Sequence, residues 1–218
     1  MHSEEKEVNY SHRNTYSTLN TFTESTKNVW LVFHGLGYLS RYFIRYFKDL
    51  NADENYIIAP QAPSKYYQDG NFKHVGASWL TKEQTVLETQ NILSYIDAIL
   101  KSELREDGDY RFVLLGYSQG VSIAMRYLAS RKISCDELII HSGGIPVELK
   151  PEDIKFFNGR VSLIYGLNDE YLTPKRICSE KAKAQLLFGE SINIHPFEGV
   201  HEMNPELVAE IVGNELKR

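Results

Sequence analysis

The chain has 218 residues, enough for one domain with a hydrophobic core, and 42% of them are hydrophobic. Its formal net charge of −5 comes without a basic cluster, which argues against a nucleic acid partner, because phosphate binding needs grouped Lys and Arg side chains. No apolar run approaches the roughly 20 residues that span a bilayer, and the polar, acidic start lacks the features of a signal peptide, so we expect a cytoplasmic protein without membrane insertion.

Six apolar runs are predicted to form the buried strands of a mostly parallel sheet. They are continuous rather than alternating, which is typical of strands that are covered on both faces. The runs cover residues 28–33, 56–60, 111–116, 137–143, 160–166 and 192–197. The N-terminal stretch 7–22 is rich in β-forming residues, and we expect it to form an antiparallel hairpin at the sheet edge.

Segments with apolar residues at three- and four-residue spacing separate these runs and predict helices. The predicted helices cover residues 41–50, 81–104, 119–131, 173–188 and 205–217. Thr81 is the predicted N-cap of the longest helix. Strands and helices in alternation indicate one α/β domain over 1–218, a doubly wound sheet with helices on both faces, in which we expect 1–7 to be a flexible tail. Region 61–80 has turn residues and no clear period, which favours a functional or mobile loop.

The motif Gly-Tyr-Ser-Gln-Gly at 116–120 lies between a predicted strand and a predicted helix, with Ser118 at its centre. Flanking glycines lack a Cβ and therefore let the strand and the helix approach closely around a serine on a strained turn. The first N–H groups of the following helix, and the positive end of its dipole, point to the same spot, which suits a developing oxyanion. The context therefore predicts that Ser118 is a nucleophile.

A serine hydroxyl needs a neighbouring base, and His201 is the histidine in the best position along the chain. It follows the last predicted strand and precedes the last predicted helix, so it belongs to a loop at the carboxyl edge of the sheet. His195 and His141, both inside predicted strands, are the alternatives, whereas His34 fits a structural role better.

An acid that orients the imidazole should follow a strand between the serine and the histidine. Asp169 meets this condition in the turn after the strand 160–166, and Glu170 is the adjacent alternative. The chain order Ser118, Asp169, His201 is that of α/β-hydrolases. The oxyanion would bind to the backbone N–H groups of Gln119, directly after the nucleophile, and of Leu36, in the glycine-rich loop after the first buried strand.

Six segments in this order resemble the phospholipase/carboxylesterase family of serine hydrolases, which includes acyl-protein thioesterases and bacterial carboxylesterases. The segments are FHGLG, APQAP, ASWL, LLGYSQG, YGLNDEYLTP and FEGVHEM, and the resemblance runs from about residue 28 to the C-terminus. It implies an α/β-hydrolase fold without a large cap domain, ester hydrolysis that needs no metal or other cofactor, and often a homodimer. It also implies the same triad and the same oxyanion donors.

The resemblance extends to the substrate site, with some departures. Trp79 matches a Trp beside the family's active site, and we assign Gly35, Trp79 and Leu172 to substrate binding. Tyr38 stands where the family often has Asp, Val121 where a second Gly usually follows the motif, and Tyr165 where His is common. These positions border the acyl site and therefore bear on substrate choice rather than on the catalytic groups.

We therefore predict a serine carboxylesterase that cleaves small-molecule esters of small to medium acyl chains through an acyl-enzyme. A thioesterase or lysophospholipase would use the same triad, and a peptidase, an acyltransferase or a non-catalytic binding protein could share the fold. A metallohydrolase is disfavoured, because the segment 201–205 begins like the zinc motif HExxH but ends in Pro205 instead of the second histidine.

Overall fold

A computed structural model describes residues 2–104 and 108–213. Its strands are β1 (Tyr16–Leu19), β2 (Asn28–Phe33), β3 (Asn55–Pro60), β4 (Ser64–Tyr67), β5 (Val75–Ser78), β6 (Arg111–Tyr117), β7 (Glu137–His141), β8 (Arg160–Gly166) and β9 (Ile192–Phe197). Its α-helices are α1 (Ser40–Phe43), α2 (Thr85–Glu103), α3 (Gln119–Arg131), α4 (Pro151–Ile154), α5 (Pro174–Phe188) and α6 (Pro205–Val212). Short 3-10 helices cover Ile44–Phe47 and Gly189–Ser191.

Seven strands form one sheet in the order β1-β3-β2-β6-β7-β8-β9. Only β1 is antiparallel to its neighbour, and the six strands predicted from the apolar runs all pair in parallel. Because parallel strands end at the same edge, the loops after β2, β6, β8 and β9 lie along one side of the sheet. The alternating order of strands and helices therefore gives the predicted doubly wound α/β sheet.

Two apolar layers cover the two faces of this sheet. Strand β2 shows why the apolar run of a strand in this sheet is continuous. Val29, Leu31 and Phe33 belong to the layer that packs against α2, α3 and α5. Trp30 and Val32 belong to the opposite layer, which packs against α1 and α6. All five side chains are fully buried, because each face of the strand meets helices.

The predicted N-terminal hairpin is wrong, although the predicted edge position is right. Of the stretch 7–22, only β1 is a strand, and its antiparallel partner is β3, with Tyr16 opposite Pro60. Residues 2–15 contain neither helix nor strand, and several of them line a cavity of about 1050 Å³ against α2. The strand-forming residues thus pair with a distant segment rather than with each other.

Two helix ends also differ from the prediction. The long helix begins at Thr85 rather than near Thr81, because Gln84 has a left-handed backbone with φ of 46°. The Thr81 hydroxyl instead accepts a hydrogen bond from the N–H of Glu83 in the preceding turn. The last helix ends at Val212, followed by Gly213 with φ of 77°, and the predicted continuation over 214–217 lies outside the described residues.

One predicted loop contains more regular structure than expected, and one predicted helix contains less. Region 61–80, predicted to be a loop, contains an antiparallel hairpin formed by β4 and β5. The predicted helix 41–50 is one α-helical turn at α1 that continues as a 3-10 helix to Phe47. The hairpin matters for the site, because its second strand leads directly to Trp79.

Candidate active site

Ser118 lies on a sharp turn between β6 and α3 and has an unusual backbone conformation, with φ of 52° and ψ of −118°. Two close approaches explain the glycines around it. A Cβ atom on Gly116 would lie 2.5 Å from the Cα of Val121, and one on Gly120 would lie 2.1 Å from the carbonyl oxygen of Phe33. Strand and helix therefore close on the serine only because both neighbours are glycine.

A line of hydrogen bonds joins the three side chains that the sequence singled out. The Oγ of Ser118 lies 2.9 Å from Nε2 of His201, and Nδ1 of His201 lies 2.8 Å from Oδ2 of Asp169. The other carboxylate oxygen, Oδ1, accepts hydrogen bonds from the N–H groups of Tyr171 (2.8 Å) and Leu172 (2.9 Å). A carboxylate can only accept, so Nδ1 donates to Asp169 and Nε2 is left as the acceptor for the serine proton.

The alternative residues have different environments. His141 is completely buried, its Nε2 accepts a hydrogen bond from the N–H of Asn204, and burial lowers its pKa to about 3. His195 lies within β9, opposite Ile164 of β8. Glu170 is exposed, whereas the side chain of Asp169 is fully buried. Among the described residues, His201 is the histidine that is hydrogen-bonded to Ser118, and Asp169 is the acid bonded to His201.

The two N–H groups predicted to bind the oxyanion have no acceptor within the described part of the chain. These are the N–H of Leu36 and that of Gln119, whereas the following N–H of Gly37 donates to Ala77 and that of Tyr38 to Gly35. A Cβ atom on Gly35 would lie 3.1 Å from Cβ of Ser118, so the loop that carries Leu36 runs directly beside the serine. Within the described residues, the site thus has two backbone donors near the nucleophile that have no acceptor.

The other predicted substrate residues contribute little exposed surface. Trp79 is 1% exposed and Leu172 is 4% exposed, while Gly35 packs against Ser118. Tyr171 lies against the base, with its ring centre 4.7 Å from that of His201, and Leu36, on the loop beside the serine, is 55% exposed.

Sequence reasoning missed two residues that support His201. The hydroxyl of Tyr117, next to the nucleophile, donates a hydrogen bond to the carbonyl oxygen of His201 at 3.1 Å. His141 holds the N–H of Asn204, the residue that caps α6 through its own side chain. Both contacts join residues that are far apart in the sequence. The feature that could have pointed to them is that Tyr117 and His141 are the last residues of neighbouring strands.

The sequence as a whole matches the model of a known family. The model described as Phospholipase/Carboxylesterase matches residues 14–213. The chain belongs to this family. It is therefore an α/β hydrolase of the esterase and thioesterase type, and the sheet described above is the α/β-hydrolase fold. A comparison with proteins of curated function returned no match.

Solved structures of similar fold include esterases and a thioesterase. Esterase PE8 is 20% identical with a TM-score of 0.68, and the match covers 92% of this chain and 98% of that one. Acyl-protein thioesterase 2 of Zea mays is 16% identical with a TM-score of 0.67, covering 91% and 96%. A phospholipase/carboxylesterase of Dyadobacter fermentans is 20% identical with a TM-score of 0.62, covering 94% and 98%. At these identities the likeness concerns the fold.

In this family member a shallow groove of about 440 Å³ starts at the loop of Leu36. It runs between α1 and the β4–β5 hairpin, and its walls include Tyr38, Arg41, Lys73 and Val75. Within residues 2–104 and 108–213, none of the helices combines the length and the apolarity that crossing a bilayer requires.

The close packing of the turn leads to a stability prediction. Replacing Gly120 with alanine is expected to lower the free energy of unfolding by about 1–3 kcal/mol, because the new Cβ would collide with backbone that cannot move away. Urea denaturation measures this change. The matched control is Gly70→Ala, since a Cβ there meets nothing within 4 Å, and it should stay within about 1 kcal/mol of wild type. Equal effects of the two substitutions would contradict the packing argument.

Proposed function

We propose that the chain is a serine carboxylesterase whose nucleophile, base and orienting acid are Ser118, His201 and Asp169. The observation that carries this proposal is the unbroken hydrogen-bonded line from Ser118 Oγ through His201 to a buried carboxylate, at a strained strand-to-helix turn. Beside it lie two N–H groups that lack an acceptor within the described residues. A nucleophile, a base with the correct tautomer and an oxyanion site are the parts that acyl transfer requires.

The reaction would proceed in two steps. His201 Nε2 accepts the proton of Ser118 as its Oγ attacks the ester carbonyl carbon, and the N–H groups of Leu36 and Gln119 stabilise the oxyanion. The tetrahedral intermediate collapses, the C–O bond breaks, and the alcohol leaves with the proton from His201. Water, deprotonated by His201, then attacks the acyl-enzyme, and the acid is released as the proton returns to Ser118. The Asp169 carboxylate stabilises the imidazolium in both steps.

We expect a small-molecule substrate with a small to medium acyl chain. A groove of about 440 Å³ begins at Leu36, on the loop of the proposed oxyanion donor, and its volume lies within the roughly 300–1,000 Å³ of ligand pockets, although its lining includes none of the three triad residues. Trp79 and Leu172 are buried, whereas Leu36, next to the serine loop, and Tyr171, against His201, are exposed apolar side chains near the site. A homodimer and a cytoplasmic location stay predictions from the sequence.

The test combines a covalent probe with a substrate series. A fluorophosphonate should modify the wild-type protein once, and peptide mass spectrometry should locate the adduct on Ser118. The kcat/KM for p-nitrophenyl esters should be highest between acetate and octanoate and fall at palmitate. No adduct on Ser118 would contradict the proposed nucleophile, and a maximum at palmitate would contradict the proposed chain length.

The same residues could cleave a thioester, since the attack on the carbonyl carbon is identical. Phenyl butyrate and thiophenyl butyrate differ only in the atom that leaves with the phenyl ring. For each substrate, kcat/KM is divided by the rate constant of its uncatalysed hydrolysis by hydroxide, which corrects for the different reactivity of the two carbonyl groups. We expect this normalised value to be at least as large for the oxygen ester as for the thioester. A clear preference for the thioester would assign the site to the thioesterases instead.

A further inference from the structure

The side-chain amide of Gln119 connects the turn of the nucleophile to the end of the β4–β5 hairpin. Its Oε1 accepts a hydrogen bond from the N–H of Trp79 at 2.8 Å. Its Nε2 donates to the carbonyl oxygen of Leu80 at 2.8 Å and to the Oγ of Ser78 at 3.1 Å. The amide oxygen and the amide nitrogen thus both make hydrogen bonds, and together they bind three consecutive residues, Ser78, Trp79 and Leu80.

Trp79 passes this connection on to the loop that carries Leu36. The indole is 1% exposed, and its Nε1–H donates to the carbonyl oxygen of His34 at 2.8 Å. The ring also packs against the imidazole of His34, with 5.0 Å between ring centres, and against Phe33 at 5.5 Å. A buried indole with a satisfied N–H has one orientation, so the carbonyl group of His34 is fixed.

The imidazole of His34 fixes the next peptide group. Its Nε2 accepts a hydrogen bond from the N–H of Ala62 at 3.1 Å, so Nδ1 carries the proton and donates to the carbonyl oxygen of Gly35 at 2.8 Å. Burial lowers the pKa of His34 to about 4, which keeps this neutral tautomer at neutral pH. In a planar trans peptide the N–H of Leu36 points opposite to the carbonyl oxygen of Gly35. The direction of the Leu36 N–H is therefore determined by the side chain of His34.

We infer that the Gln119 side chain is a positioning residue that sets the separation of the two oxyanion donors. The inference rests on the proposed function, in which Gln119 donates its own backbone N–H and Leu36 donates the other. Through Trp79 and His34, the Gln119 amide connects the first donor to the second. The chain of contacts Gln119–Trp79–His34, called the clamp below, holds both N–H groups in place before the substrate arrives, which is the condition for strong oxyanion stabilisation.

The first test replaces Gln119 with glutamate, which retains the backbone N–H and the shape of the side chain. At pH 8 the carboxylate still accepts from Trp79 but repels the carbonyl oxygen of Leu80. We expect kcat on p-nitrophenyl butyrate to fall about 10- to 100-fold, with KM within about threefold of wild type, because the misplaced donors stabilise the transition state and not the ground state.

The pH dependence separates positioning from general damage. When the new carboxyl group is protonated, its O–H donates to Leu80 and the clamp is restored. The groups that face it are uncharged, namely the N–H of Trp79, the carbonyl oxygen of Leu80 and the hydroxyl of Ser78. The ratio of kcat in Gln119→Glu to kcat in wild type should therefore rise at least twofold between pH 8 and pH 5. A ratio that stays flat, or activity equal to wild type at pH 8, would overturn the inference.

Two controls complete this test. Gln119→Met has similar length but no amide, and its kcat should be low at every pH without recovery. Gln90→Glu makes the same chemical change at an exposed position of α2, and its ratio should stay near one throughout.

A second variant keeps the inference testable if the Gln119 variants do not fold. Trp79→Phe retains an aromatic ring and removes the indole donor to His34, and it should lower kcat about 10-fold with KM little changed. Unchanged kcat in Trp79→Phe would also overturn the clamp. Neither result affects the assignment of Ser118 as the nucleophile. That assignment would fail if a variant without the Ser118 hydroxyl still hydrolysed the ester.

Discussion

Replacing Ser118 with alanine is expected to reduce kcat on p-nitrophenyl butyrate to below about 1% of wild type and to abolish labelling by a fluorophosphonate. His201 and Asp169 stay in place, but no side-chain oxygen remains at the end of their hydrogen-bonded line to attack the ester. Any residual hydrolysis would come from water activated by His201 and from the two backbone donors. Steady-state kinetics and gel fluorescence of the labelled protein measure both effects.

The protein should remain folded in this variant, so the loss is one of chemistry. Ser118 has φ of 52°, and alanine at this position has the same backbone strain as serine. The free energy of unfolding should therefore change by less than about 1 kcal/mol. Ser122→Ala, one turn further along α3, is the matched control and should retain both turnover and labelling. Turnover of Ser118→Ala above about 1% of wild type would assign the nucleophile elsewhere.

The strands of the parallel sheet could be predicted from the sequence because strands buried on both faces appear as continuous apolar runs. Trp30 and Leu31 point to opposite faces of β2, yet both are fully buried, so the run shows no polar alternation. The predicted N-terminal hairpin was wrong because strand propensity alone was used. The residues of β1 have strand propensity, but propensity does not identify a partner, and the partner is the distant β3.

The arrangement of the candidate site was predictable where a local motif specifies the geometry. The glycines around Ser118 indicate the turn, and the position after the last strand indicates His201. In the structure the side chains of Ser118 and His201 lie at hydrogen-bonding distance. The distinction between Asp169 and Glu170 needed the structure, since adjacent acids in one turn differ only in the direction of their side chains. The clamp could not be predicted either, because Gln119 meets Trp79 across 40 residues of chain.

Replacing Asp169 with asparagine is expected to lower kcat by roughly 10³- to 10⁴-fold with little change in KM. Two N–H groups, those of Tyr171 and Leu172, donate to Oδ1, and only an oxygen can accept them. The amide oxygen of asparagine must therefore take that position, which turns the NH₂ group toward Nδ1 of His201. Two donors cannot face each other, so the imidazole proton moves from Nδ1 to Nε2. Nε2 then points a proton at Ser118 and can no longer accept one.

This tautomer change is observable apart from the rate. Nitrogen-15 NMR of labelled protein should show Nδ1 of His201 protonated in wild type and Nε2 protonated in Asp169→Asn at neutral pH. The matched control is Glu170→Gln, which removes the adjacent carboxylate at an exposed position and should leave kcat within about twofold of wild type, as exposed substitutions usually do. The reverse pattern, with Glu170→Gln inactive and Asp169→Asn active, would make Glu170 the orienting acid. The two N–H groups that hold Oδ1 of Asp169 are the reason to expect the first pattern, because they fix the carboxylate before His201 becomes charged.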